Sequence, residues 1–267
     1  MKPPDADFAC GFQPVFRAGA SAMPNYKLIL EYDGSRYRGW QRLPDGGATV
    51  QGRLEQVLSR LLDEPTEVSG SGRTDAGVHA LGQVASFRTA REIPPQELLR
   101  DLRRYLPEDI GVRSVEIADS RFHARLSAVG KTYRYRVWNS DAPCVFDRRF
   151  VYVFPDPVDE AAMGRAARLL LGTHDFRGFS AARTNKSTVR TLTGLEIERL
   201  GPELRFTLTG DGFLHRMVRI LVGTLLEIGR GDRDASCIGE IFARGTRAEA
   251  GFTVPAKGLC LMEVQYR

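Results

Sequence analysis

The sequence predicts an α+β protein built as two similar halves, each an antiparallel sheet carrying its helices on one face. Three observations predict it. Short runs of period-two alternation are interleaved with amphipathic helical runs, and over residues 26–117 they follow the order strand–helix–strand–strand–helix–strand. A comparable series of strands and helices follows downstream. The chain has 267 residues, too many for one small core and enough for two compact units.

The first strand is expected over 26–32, where Tyr26, Leu28, Leu30 and Tyr32 face one way and Lys27, Ile29 and Glu31 the other. Residues 33–47, rich in Gly, Arg and aromatics, read as irregular. Thr49 can cap a helix whose apolar stripe is Val50, Leu54, Val57, Leu58, Leu61 and Leu62. Strands over 67–71 and 81–89 bracket a Gly-rich loop. Pro94-Pro95 opens a second helix that buries Leu98, Leu99, Leu102 and Leu106, and 111–117 returns as a strand. This is the element order of a ferredoxin-like, RNA-recognition-type unit, with both helices on one face and the other face free to hold a ligand. The second half is expected to have strands at 131–139, 189–199, 204–208 and 259–266, and helices at 159–171, 213–229 and 235–242. A basic loop is expected over 172–187. The division reads as 1–23 an extension, 24–128 the first unit and 129–267 the second.

Composition narrows the classes of function. A hydrophobic content of 42% and a charged content of 27% belong to a soluble globular chain. The apolar run over 213–228 is interrupted by His215, Arg216, Arg219, Gly223 and Glu227, so no membrane span is expected. A net charge of +5 mildly favours a phosphate-bearing partner. Only five of the 38 basic residues are lysine, and arginine suits bidentate phosphate contacts, although a bias this general also follows from genome base composition. Cys10, Cys144, Cys237 and Cys260 are widely spaced, which argues against zinc ribbons and disulfide frameworks and points to a reducing, cytoplasmic setting. His79, His123 and His174 are too dispersed for a zinc site. Residues 1–22 lack the pattern of a secretory signal and read as an extension outside the fold.

The loop Gly72-Arg73-Thr74-Asp75-Ala76-Gly77-Val78-His79-Ala80 has neither the Walker spacing nor the dinucleotide fingerprint, and it runs on into a strand. Its glycines suit a tight turn presenting a carboxylate at a sheet edge. From turn chemistry alone, an aspartate in such a place more often serves its own backbone. Tyr133 alternates with Tyr135 along a strand, so both read either as core or as a stacking platform for a base.

Several blocks in order, from Tyr26 to the C-terminus, resemble the TruA family of tRNA pseudouridine synthases. They are Tyr32-Asp33-Gly34 with Gly39-Trp40-Gln41, Thr49-Val50-Gln51-Gly52, the Gly72–Ala80 block, and Phe122-His123-Ala124-Arg125. Lys131-Thr132-Tyr133-Arg134-Tyr135, His174-Asp175-Phe176, Val189-Arg190-Thr191, the 213–219 block and the 255–259 block complete the set. The resemblance implies isomerisation of uridine to pseudouridine in the tRNA anticodon stem-loop, at positions 38, 39 and 40. It implies two RNA-recognition-like halves flanking a basic cleft, a homodimer and no cofactor. It makes Asp75 the catalytic carboxylate, Tyr133 the tyrosine that packs on the target base, and Arg190 the arginine that pairs with Asp75.

The chemistry fits those residue types. The N1–C1′ bond must break, the uracil must turn, and C5 must bond to C1′. A carboxylate can attack or stabilise C1′, or assist elimination to a glycal. Exclusion of water disfavours an ionised carboxylate and a nearby guanidinium restores it. Arg73 is expected to displace the target base or hold its phosphate. Arg36, Arg38, Arg216 and Arg219 read as backbone contacts, and His215 as buried or phosphate-facing. Two rival readings are an RNA-binding module without chemistry and a synthase of the same family acting at other RNA positions.

Overall fold

The computed structural model describes residues 23–182 and 184–267; the expected extension at 1–22 lies outside the described residues. The first strand, β1 (Asn25–Tyr32), runs between β4 (Ile110–Ala118) and β3 (His79–Arg88), antiparallel to both. Its Tyr26, Leu28 and Leu30 are fully buried, in one core with Leu54 and Leu58 of α1 (Val50–Leu62) and Leu98 and Leu102 of α2 (Pro95–Tyr105). Burying each leucine contributes about 1.5–3 kcal/mol. Thr49 caps α1 by accepting from the Gly52 N–H at 3.2 Å, as its sequence position implies.

The second half is centred on β5 (Ala128–Trp138), flanked by β9 (Glu203–Gly210), then β8 (Val189–Leu200) and β7 (Gly172–Asp175). The core on this side includes Leu204, Phe206 and Leu208 of β9. It also takes in α3 (Glu160–Leu170), α4 (Met217–Arg230) and α5 (Cys237–Arg244). No helix among the described residues is long and apolar enough to cross a membrane.

The α+β class and the order of elements hold, with four differences. The largest is that the two halves share one ten-stranded sheet, β4-β1-β3-β10-β5-β9-β8-β7, with β2 (Ser69–Gly70) on β3 and β6 (Tyr152–Val153) on β5. The C-terminal strand β10 (Leu259–Tyr266) joins them, antiparallel to β5 and parallel to β3 through Cys260↔His79 and Leu261↔Ala80. Gly82 permits that approach, since a Cβ there would lie 2.3 Å from the Met262 carbonyl oxygen. The second difference is within 172–187, where β7 pairs with β8 instead of remaining loop. Third, α4 begins at Met217, not at 213, because Arg216 takes a left-handed conformation (φ 60°, ψ 12°) that interrupts helical geometry. Fourth, the strand expected over 67–71 shrinks to two residues.

Candidate active site

Asp75 follows β2 in the loop that leads to β3, and that loop is pinned from behind. The Trp40 N–H donates to the Thr74 carbonyl at 3.0 Å, the Tyr32 hydroxyl shares a hydrogen bond with Thr74 Oγ1 at 2.9 Å, and the Gln83 amide donates to the Gly72 carbonyl at 3.1 Å. Gly39, at φ 98°, lies against the loop so closely that a Cβ would sit 2.7 Å from the Thr74 carbonyl oxygen. Gln51 and Glu55 of α1 hold the strand leading in: the Gln51 amide donates to the Val68 carbonyl and Glu55 Oε1 accepts from the Val68 N–H. The glycines and the Trp40 block therefore serve rigidity. A carboxylate held this way loses little entropy on meeting a substrate.

The Asp75 side chain is about a quarter exposed (27%) and turns away from its own turn toward the second half. Arg219 Nη1 donates to Asp75 Oδ2 at 3.2 Å, and His215 Nε2 lies 3.7 Å from Oδ1. Arg219 is nearly buried and is braced by a 2.8 Å bond from its Nε to the Val254 carbonyl. The break at Arg216 leaves His215 just before α4 and Arg219 in its first turn, both against Asp75. The start of the helix also adds a partial positive charge beside the carboxylate.

Across from Asp75 the wall is aromatic. Tyr133 is buried and meets Phe213 edge to face, with ring centroids 5.2 Å apart and planes at 84°. Burial, then Tyr32, Asp75 and Cys260, push its phenol above the usual tyrosine range, so it is a neutral hydroxyl at rest. Asp75, Tyr133 and Phe213 line a cleft of about 1020 Å³, of a size to take a nucleotide and part of its neighbours. The cleft lies on the helix-bearing face, since Gln51 of α1 and Val218 of α4 also line it. The sequence leads one to expect a ligand on the open face, whereas Asp75 and Tyr133 line the cleft on the other. Strand alternation turns Arg134 and Arg136 to the open face, where a separate cavity of about 580 Å³ lies.

Comparison with known proteins identifies the family. A family model described as "tRNA pseudouridine synthase" matches residues 28–126 and 166–267, which include Asp75, His215 and Arg219. The chain belongs to the tRNA pseudouridine synthase family. It is 45% identical to "tRNA pseudouridine synthase A" of Acetivibrio thermocellus, over 91% of this chain and 100% of that protein. The proteins of the same name from Bacillus sp. strain KSM-64 and Brevibacillus brevis are 42% and 45% identical over the same shares.

One of the expected synthase contacts does not form. Arg190 does not meet Asp75; its Nη1 donates to the Ser187 and Val189 carbonyls at 3.0 and 2.6 Å. Arg190 stands at the start of β8, whereas Arg219 reaches Asp75 from α4 and takes that place. The sequence did single out Arg219, but as an RNA backbone contact. No local signal in the sequence separates the two arginines; the fold selects Arg219 by setting the first turn of α4 against Asp75. Arg73 lies in the cleft wall and is exposed. Arg36 and Arg38 are exposed and pair with Asp109 (3.9 Å) and Asp45 (2.6 Å).

His79, in the same motif block, is a strut between the halves of the synthase. Its Nδ1 accepts from the Gly34 N–H at 3.0 Å, so Nε2 carries the proton and faces the Arg149 and Lys257 carbonyls, each at 3.2 Å. Burial first, and Arg149 last, lower its proton affinity, against opposing contributions from Asp33 and the two carbonyls. The folded state therefore prefers the neutral ring, and below about pH 6.5 the unfolded chain takes up the proton first. Stability is expected to fall as pH drops below that value. His79→Gln, which keeps one acceptor and one donor, should flatten the dependence of the unfolding midpoint between pH 7 and 5. An unaltered slope would assign it to another group.

Proposed function

We propose that this synthase isomerises uridines of the tRNA anticodon stem-loop, at the positions numbered 38, 39 and 40, through the Asp75 carboxylate acting at C1′ of a flipped uridine. The observation that carries this reading is one carboxylate, ion-paired to Arg219 and flanked by His215, opposite the Tyr133–Phe213 pair in a nucleotide-sized cleft. In this reading residues 24–128 carry Asp75 and Arg73, and residues 129–267 supply Tyr133 and Arg219. The protein works in the cytoplasm as a homodimer and needs no cofactor.

An ionised Asp75 attacks or stabilises C1′ as the N1–C1′ bond breaks; the uracil turns against Tyr133, and C5 bonds to C1′. The C5 proton then leaves and N1 gains one, so the product is an isomer. Tyr133 packs on the base, and its neutral hydroxyl relays the C5 proton, taking it up as its own proton leaves toward N1. Arg73 holds the opened strand beside Asp75.

The test is release of tritium from tRNA labelled with [5-3H]uridine, followed by mapping of the pseudouridines. Release confined to anticodon-stem positions is expected. Pseudouridine elsewhere in the RNA would favour a synthase of the same family with a different target. No release at all, with the RNA still bound, would leave a binding module. Tyr133→Phe should bind RNA normally and fail to complete rearrangement; full activity in that variant would end the proton-relay role.

A further inference from the structure

We propose that Lys131, Arg125 and Arg190 form a notch for one RNA backbone phosphate, the one flanking the nucleotide held at Asp75. The notch rests on the function proposed above and adds a place where the strand is gripped. Lys131 begins from the same strand face as Tyr133, two residues before it, about 7 Å along β5. Its ammonium donates to the Ser71 carbonyl at 2.9 Å, four residues before Asp75, and two further protons remain. Lys131 and Arg125 both line the cleft. Arg190 comes from the next edge: Lys131 and Leu192 both pair with Gly210, so the start of β8 is brought beside the start of β5.

The three cations lack a counter-charge. None has a carboxylate partner among the described residues, whereas Arg38, Arg42, Arg136, Arg149, Arg219 and Arg230 each have one. Asp211, on the same edge, is taken by the Thr191 N–H at 3.0 Å. Burial, then Arg125 and Arg190, pull the Lys131 ammonium below the usual lysine range. Gathering like charges costs stability, and an anion placed among them reverses the sign of that interaction. The turn carrying Arg125 is itself held, because His123 Nδ1 accepts from the Arg125 N–H at 3.1 Å and the Leu126 N–H at 3.4 Å. Arg190, displaced from Asp75, so acquires a role beside Lys131.

A phosphodiester fits this arrangement better than a base edge, since all three side chains are donors and none accepts. The test is a double-mutant cycle on the full chain with an anticodon stem-loop RNA. One arm pairs wild type with Arg125→Gln/Arg190→Gln. The other pairs natural RNA with RNAs whose phosphate 5′ or 3′ of the target uridine is a neutral methylphosphonate. The double variant is expected to raise Kd about 10- to 100-fold and to lower the slope of log Kd against log salt by part of the about 0.7–0.9 due to one phosphate. One of the two methylphosphonates should weaken wild type and cost the double variant clearly less, the remainder being the Lys131 contact. Arg168→Ala, which removes an exposed charge on α3, controls for overall charge and should leave the slope unchanged. Fully additive losses at both positions, or an unchanged slope in the double variant, would overturn the notch while wild-type turnover left the proposed function standing. A wild type that neither binds nor isomerises the RNA overturns both.

Discussion

Asp75→Asn is expected to lower kcat for tritium release on the order of 10⁴-fold or more, with RNA affinity within a few-fold of wild type. The amide keeps the shape of the side chain and an oxygen for the Arg219 donor at 3.2 Å, so the loop should stay as it is. What it lacks is the negative charge needed at C1′ while the glycosidic electrons leave. The loop's other supports come from Trp40, Tyr32 and Gln83, none of which touches the carboxylate in doing so. Single-turnover release from saturating labelled RNA separates chemistry from binding. A rate within tenfold of wild type would remove Asp75 from the reaction, whatever else it binds.

Arg219→Met is expected to lower kcat by about 10²- to 10³-fold with a much smaller change in KM, the cost of losing one preorganised charged donor. Arg219 is largely sheltered, with a side chain 12% exposed, and it bonds both Asp75 and the Val254 carbonyl. Its guanidinium holds the carboxylate toward the cleft and offsets the cost of keeping that charge away from water. Arg219→Lys keeps a point charge but only one of the two bonds at a time, so an intermediate rate is expected. Stability should fall by about 1 kcal/mol in the methionine variant through the lost Val254 bond. An unchanged kcat with a raised KM would make Arg219 an RNA contact, not a positioning residue for Asp75.

The contrast between Arg190 and Arg219 shows what a linear sequence conveys. Both arginines stand in motif blocks, and spacing along the chain cannot say which one reaches a carboxylate more than a hundred positions away. That choice depends on the path of the backbone before α4. The left-handed turn at Arg216 makes the helix start later than the apparent helical run and sets His215 and Arg219 against Asp75. A left-handed arginine carries no local signature, because nothing in its side chain asks for positive φ. The face of the sheet that carries the Asp75 cleft was equally hidden. Tyr133 has the alternation of a core strand, and only the gap between α1 and α4 turns that buried face into a cleft wall.

By itself, the sequence determined the α+β class, the helical and strand periodicities of both halves, the Thr49 cap and the family, because each is written in local residue order or in motif blocks. Tertiary structure alone decided that β10 fuses the halves into one sheet, that the cleft opens on the helix side, and which arginine meets Asp75. These three depend on contacts between residues far apart in the chain. Such contacts are selected by the joint burial and hydrogen-bonding of whole elements, and no local pattern encodes that balance.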